Sequence, residues 1–355
     1  MKLIFIASAN SIHSLRWIKY FTNKKNINIY WISLHEPNHE TIDEFNKIEG
    51  KLNIYFLFKV NHFLKIIKLI LSRHKSIIHI HYLGWHSLLI PLIRRNSKII
   101  LTPWGSDILK INKFKKLWIK YIIKKASYVI CDSSRLKTKM IEMGTNEKKI
   151  SITMFGVDTD LYKKRNRILL NKEIFIGSNR KFETVYDLKT LLYAAKKLLK
   201  FSKNIKFLLA GDGSLRNELE SFVKNNNLES HIKFLGLLNK DEMINFYNSI
   251  DLYISTSLSD GGLSSSIAEA MSFERIVIAA NNSDNKKWIE HEINGFIFEN
   301  SNYYQLFNIL QKIINEKENY TDLPEAARKI IVKNYSYNNQ MNKVNLIYKE
   351  IFKNE

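Results

Sequence analysis

The sequence predicts an α/β protein of two doubly wound parallel-sheet domains in tandem. Short apolar, β-rich runs alternate with helical segments along the whole 355-residue chain, as parallel sheets covered on both faces require. The alternation pauses once, over residues 155–172, a polar and basic stretch without an apolar period. The length suits two domains of roughly 100–200 residues each.

Before the pause, apolar runs predict strands over 2–7, 27–33, 52–58, 77–81, 98–102 and 128–132. Apolar residues at helical spacing predict helices over 14–21, 62–73, 85–94, 114–125 and 134–143. The rhythm then restarts with strands over 174–177, 205–210, 232–235, 252–255, 276–280 and 295–298. Helices are expected over 187–199, 214–226, 240–249 and 266–272, with a further one before the last strand and more at the C-terminus. The expected domains are 1–160 and 161–335, with a C-terminal helix, 336–355, packing back toward the first.

Apolar residues make up 45% and charged residues 25%, which is globular composition and argues against disorder. A single cysteine, Cys131, excludes an intrachain disulfide and fits a reducing compartment such as the cytoplasm. The opening MKLIFIASANS reads as a buried first strand rather than a signal peptide. No apolar run approaches the roughly 18 residues of a bilayer span.

The net charge is +21. Residues 1–160 hold 27 Lys/Arg against 11 Asp/Glu, and residues 161–355 hold 28 against 23. Compositional drift would load both halves alike, so the asymmetry points to an anionic partner for the first half: a membrane surface, a phosphorylated acceptor or nucleic acid. No nucleic-acid module is present, so nucleic acid is not expected. Helices 62–73 and 114–125 join apolar stripes to lysine faces, as helices lying on anionic membranes do. A helix packed on a sheet with a solvated basic face has the same pattern.

The most informative segment is Ser257-Leu-Ser-Asp-Gly-Gly-Leu-Ser-Ser-Ser-Ile-Ala-Glu-Ala-Met271. A buried strand runs into Asp260, Gly261, Gly262 and Leu263, where the glycines permit a tight turn and close ligand approach. Ser264, Ser265 and Ser266 suit a helix start, whose free N–H groups and dipole favour an anion. Glu269 lies one turn in and is placed to accept from a ribose. Ser266-x-x-Glu269 is equally a capping box, serving only its own helix. Both readings stay open.

This segment resembles the donor motif of the family 4 retaining glycosyltransferases, which have the GT-B fold of two Rossmann-like domains facing across a cleft. Glu269 matches the glutamate that holds the nucleotide ribose. The family's earlier glutamate, which contacts the donor sugar, is here Gly261, with Asp260 adjacent but out of register. The resemblance covers nearly the whole chain. Gly177 and the basic pair Arg180 and Lys181 fall in the loop that contacts the diphosphate. Gly211-Asp212-Gly213 is the family's text after the next strand. Leu235 and Gly236 match the loop where the base sits. Thr102-Pro-Trp-Gly-Ser-Asp107 resembles a His-Gly-Ser-Asp segment, with Trp104 in place of histidine.

The resemblance implies an acceptor-binding first domain and a nucleotide-sugar-binding second one. Asn10, Ser11 and His13, after the first strand, are candidate acceptor contacts with Trp104, Gly105 and Asp107, and His81 lies nearby. Asp107 is alternatively a cap for the next helix. Ser134 and Phe155-Gly-Val-Asp158 read as structural. The expected activity is hexosyl transfer, with retention, from a UDP- or GDP-linked sugar to a hydroxyl of a glycan or polyprenyl/lipid-linked acceptor, in assembly of cell-surface polysaccharide or glycoconjugate. Asp107, Arg180 and Glu269 are the expected catalytic residues. The resemblance implies that no divalent metal is required, and no cofactor is expected beyond the nucleotide sugar. The expected location is cytoplasmic, peripheral on the inner face of the membrane. Alternatives are a sugar-nucleotide epimerase or a non-catalytic binding subunit on the same fold.

Overall fold

The computed structural model describes residues 1–39, 41–48, 52–109, 111–163, 173–260, 262, 264–282 and 285–353. The chain forms two compact units. Unit 1 comprises Met1–Phe155 with Gln340–Glu355, and unit 2 comprises Gly156–Asn339.

Unit 1 contains strands β1 (Lys2–Ile6), β2 (Asn28–Ser33), β3 (Leu52–Phe56), β4 (Ile77–His81), β5 (Lys98–Thr102), β6 (Tyr128–Cys131) and β7 (Ile150–Ile152). Its helices are α1 (Ile12–Thr22), α2 (Ile42–Asn46), α3 (Val60–Ile70), α4 (Lys113–Lys125) and α5 (Ser134–Glu142). The sheet order is β3-β2-β1-β4-β5-β6-β7, all parallel. β4 is buried at every residue, as a central strand with two covered faces must be.

Unit 2 contains β8 (Ile174–Asn179), β9 (Ile205–Ala210), β10 (Ile232–Gly236), β11 (Leu252–Ser255), β12 (Ile276–Ala280) and β13 (Phe296–Phe298). Its helices are α6 (Leu188–Leu198), α7 (Arg216–Asn225), α8 (Lys240–Ser249), α9 (Ser265–Ser272), α10 (Tyr303–Asn315) and α11 (Leu323–Ile330). The sheet order is β10-β9-β8-β11-β12-β13, again parallel. α12 (Tyr337–Lys353) returns the chain to unit 1 from Gln340 onward. There its buried Tyr348 hydroxyl meets His79 Nδ1 on β4.

These two sheets are the doubly wound pair that the sequence predicts. Each order reverses direction once, between β1 and β4 and between β8 and β11. Ligands of open parallel sheets bind beyond the strand C-termini at such a reversal. The loops after β1, β4 and β5, and those after β8 and β11, are therefore where sites are expected.

Several elements differ from expectation. Residues Trp85–Leu92 form a 3₁₀ stretch, with Pro91 inside it, rather than the expected α-helix. The helix expected before β13 is only a three-residue 3₁₀ turn, Asn285–Lys287. β7 and α2, of three and five residues, were not expected, being too short to show a period. Within 155–172, Gly156 adopts φ +71° and a Cβ there would meet Tyr337 Cα at 2.7 Å. Val157 pairs with Ser336, while 164–172 lie outside the described residues. α5 starts at Ser134 as expected, capped by Ser133, whose side chain accepts from Leu136 N–H. Among the described residues no helix is long and apolar enough to cross a membrane.

Candidate active site

Arg180 follows directly on β8, and the loop after β11 runs through Asp260 to α9, so the reversal brings them together. Two glycines seat Arg180. Gly211, at φ +132°, lies so close that a Cβ would stand 2.3 Å from the Arg180 carbonyl oxygen. At Gly213 a Cβ would stand 2.6 Å from the Phe182 carbonyl oxygen. Hydrogen bonds join the same loops: Phe182 N–H donates to Asp212 O at 3.0 Å and Gly211 N–H to Gly236 O at 2.7 Å. Gly-Asp-Gly thus accommodates the protein's own backbone, and Gly236 closes the row from β10.

The Arg180 guanidinium donates through Nη1 to Ser264 Oγ at 3.1 Å and Ser266 Oγ at 2.8 Å. Nη2 pairs with Asp260 Oδ1, and the plane lies 4.5 Å from the Tyr186 ring centroid. Asp260 Oδ2 also accepts from Asn282 Nδ2 at 3.2 Å. The Arg180 and Asp260 side chains are 11% and 8% exposed, so solvent screens the pair little. Burial opposes the charge on Arg180, but Asp260, with Tyr253 and Tyr186, together more than offset it and raise the pKa. Arg180 Nε is buried without a partner among the described residues. A buried cation beside a helix start, with a donor to spare, suits a phosphate oxygen.

Glu269 belongs to a second chain of contacts. Its Oε2 accepts from the Tyr247 hydroxyl at 2.9 Å, which also lies 3.2 Å from Ser266 O. Asn179 Nδ2 donates to the Tyr247 hydroxyl at 2.9 Å, and the Tyr253 hydroxyl donates to Asn179 Oδ1 at 2.6 Å. Burial, and then the Glu269 charge, push the Tyr247 pKa well up, so it donates as a neutral phenol. The N-cap of α9 is Ser264, not Ser266, and no side-chain cap bond forms there. This overturns the capping box: its register starts two residues late, and Ser266 faces Arg180 instead.

Of the remaining donor candidates, Lys181 and Ser265 are exposed, Leu235 is half-buried and Gly262 is buried at φ +66°. Gly177 lies inside β8, where a Cβ would meet Phe246 and Ile250 at 2.7 Å, so it serves the packing of α8. Gly261 and Leu263 lie outside the described residues.

In unit 1 the loops after β1 and β5 and the end of β4 meet in an aromatic cluster. His13 stacks on Phe155 with centroids 4.3 Å apart and meets Trp104 edge-on at 5.6 Å. His81 lies 5.8 Å from Trp104 and 4.9 Å from Trp17. Burial pushes His13 down to about 4 and His81 to about 3, so both are neutral. Asn10 is exposed, whereas Ser11 is the N-cap of α1, accepting from Ser14 N–H at 3.4 Å. Gly105 takes φ +104°.

Asp107 is fully buried, with Oδ2 accepting from Leu83 N–H at 2.7 Å and Oδ1 from Trp104 N–H at 3.0 Å. Burial raises its pKa, and these N–H bonds work the other way. A carboxylate so enclosed ties two loops together.

Sequence reasoning named none of Asn179, Tyr186, Tyr247, Tyr253 or Asn282. Asn179 and Tyr186 flank Arg180 within the matched loop. Tyr247, an inward tyrosine of an amphipathic helix, carries no local mark to separate it from core.

Two family models match the chain: "Glycosyl transferase 4-like" over residues 2–133 and "Glycosyl transferases group 1" over residues 158–330. An uncharacterized glycosyltransferase of Methanocaldococcus jannaschii is 28% identical over 346 residues, covering 96% of this chain and 90% of that protein. A Rickettsia africae glycosyltransferase structure superposes with a TM-score of 0.83 at 21% identity, covering 100% and 99% of the two chains. The Anabaena protein HepE, in complex with UDP and glucose, superposes at 0.76 and 17% identity, covering 99% and 100%.

Proposed function

The chain belongs to the group 1 glycosyl transferases and is a glycosyltransferase on the GT-B fold, and from that premise we propose that unit 2 binds a nucleotide-diphosphate sugar around Arg180. The observation that carries this reading is the buried guanidinium bridging Asp260, Ser264 and Ser266 at the β8/β11 reversal. Arg180 and the α9 N-terminus hold the diphosphate, with exposed Lys181 as an outer cation. As the bond from the anomeric carbon to the diphosphate breaks, charge grows on the departing oxygen. Donors already in place stabilise that charge without reorganising.

Glu269, steadied by Tyr247, accepts from the ribose hydroxyls. The loop at Leu235 and Gly236 meets the base. Asp260, Gly262 and the adjoining turn meet the donor sugar, in place of the glutamate that Gly261 replaces. The sugar passes, with retention, to a hydroxyl of a glycan or lipid-linked acceptor during polysaccharide or glycoconjugate assembly. The acceptor is held by the unit 1 loops carrying Asn10, His13, Trp104 and Gly105, while Asp107 positions two of those loops. HepE's binding of UDP and glucose makes UDP-linked sugars the first donors to try, with GDP-linked ones second.

A thermal-shift screen across sugar nucleotides tests the reading. A donor at 100 times its Kd raises stability by about 2.7 kcal/mol. Arg180→Ala and Glu269→Ala should each remove most of that gain while leaving the protein folded. A gain that survives both substitutions would place the nucleotide elsewhere.

A further inference from the structure

The charge of unit 1 is concentrated in one stretch. Residues 52–131 carry fifteen Lys or Arg and a single carboxylate, Asp107, which is buried. Three elements of this stretch, α3, the 3₁₀ stretch Trp85–Leu92 and α4, cover one face of the sheet. Ile66 and Ile70, Ile90, and Ile119 and Ile122 join in a single core there. Trp118 Nε1 donates to Ser87 Oγ at 2.9 Å, joining α4 to the 3₁₀ stretch.

The outer side of this layer carries large apolar side chains in solvent. Phe63 and Leu64 project near the start of α3, Trp85 (75% exposed) and Leu88 at the start of the 3₁₀ stretch, and Phe114 (85%) and Leu117 at the start of α4. Because the strands are parallel, each element begins at the same sheet edge, beyond the strand C-termini. That edge also carries the loops with His13, Trp104 and Asp107. Exposed Lys65 and Lys68 on α3, and Lys113, Lys116 and Lys120 on α4, accompany the apolar tips. No carboxylate among the described residues pairs with any of these five lysines in a salt bridge.

We propose that this layer of unit 1 docks on an anionic lipid bilayer, its aromatic and leucine tips entering the headgroup boundary and its lysines neutralising lipid phosphates. The basic charge alone would fit any polyanion. Apolar tips of this size on all three elements fit a surface that is anionic outside and apolar beneath. The edge chosen brings the acceptor loops to the membrane, which suits an acceptor carrying a lipid. The proposal rests on unit 1's surface and not on the donor site, so vesicle binding and nucleotide binding fail independently.

The test is co-sedimentation of the full chain with vesicles of phosphatidylcholine alone or with one third phosphatidylglycerol. Binding is expected only to the anionic vesicles and is expected to weaken as salt rises. Lys113→Gln, Lys116→Gln and Lys120→Gln should each lower partitioning about fivefold. The pair Phe114→Ser with Leu117→Ser should lower it at least tenfold, with an unchanged circular dichroism spectrum and melting curve, since both side chains are already in water. No binding to either vesicle overturns the proposal. So does anionic-vesicle binding that the serine pair leaves intact and soluble polyphosphate abolishes, which would make the surface a reader of anionic polymers.

Discussion

Tyr247→Phe removes one oxygen atom from the interior of unit 2 and isolates what that hydroxyl does. It lies 2.9 Å from Glu269 Oε2 and accepts from Asn179 Nδ2 at 2.9 Å, at a fully buried position. A hydrogen bond to a charged acceptor contributes about 1.5–3 kcal/mol, and a neutral one about 1 kcal/mol. The ring itself still fits. Asn179 keeps its 3.1 Å contact with Met243 Sδ and its bond from Tyr253. A loss of about 2–3 kcal/mol is expected, lowering the melting temperature by about 5–10 °C for a unit of this size. Glu269 also loses the Tyr247 bond that steadies Oε2, so it meets a ribose less well aligned. The nucleoside diphosphate giving the largest thermal shift should bind about five- to tenfold more weakly, an effect of about 1–1.4 kcal/mol. Titration calorimetry at a temperature where the variant is folded measures this directly. Unchanged affinity, alongside the lower melting temperature, would refute the argument by making the network a brace between α8 and α9 with no bearing on ligand.

Three further outcomes follow from the same geometry. Gly211→Ala places a Cβ 2.3 Å from a carbonyl oxygen at φ +132° and should cost about 3 kcal/mol or more and weaken nucleotide binding; Gly236→Ala, at φ +75° in open space, should cost only about 1–2 kcal/mol by chemical denaturation. Asp107→Asn sets an amide nitrogen against a backbone N–H and should cost about 1–3 kcal/mol, while transfer per folded molecule stays within a few-fold; a thousandfold loss would restore it as a reacting group. Burial holds His13, His81 and His86 down to about 4, 3 and 4, against about 6.5 when unfolded. Stability is therefore full above pH 6.5 and falls as acid protonates the unfolded chain first. Urea unfolding at pH 5 should show a loss of up to about 2 kcal/mol per histidine relative to pH 7, and a flat profile would contradict their burial.

Much of the architecture was legible because it rests on local periodicity. β4, β5, β9, β11 and β12 fall on the expected residues because an apolar run between polar turns has only one way to sit in a two-sided parallel sheet. The donor segment was legible because glycine, serine and a helix start occupy a few consecutive residues. What escaped was long-range. Nothing near Tyr247 signals that its hydroxyl reaches Glu269, 22 residues on. Nothing near Gly211 signals that its empty side is filled by Arg180. Asp107 reads as a polar loop residue, and its role depends on the Leu83 amide, 24 residues away. The capping-box question stayed open because Ser264 and Ser266 are both good caps, and the bond from Arg180, 86 residues before Ser266, decides it.

The return of α12 to unit 1 has a consequence for how the chain is made. Unit 2 is an insertion within unit 1. The core of unit 1 includes Met341, Val344 and Tyr348, all buried, and Tyr348 meets His79 in the middle of the first sheet. On a ribosome, the second-made unit has all of its residues before the first does. Unit 2 can finish folding while the groove over β4 and α1 still waits for its last helix. Unit 1 is thus sealed by a segment that emerges after unit 2, and a chain stopped at residue 339 would leave His79 and Phe21 without Tyr348 against them.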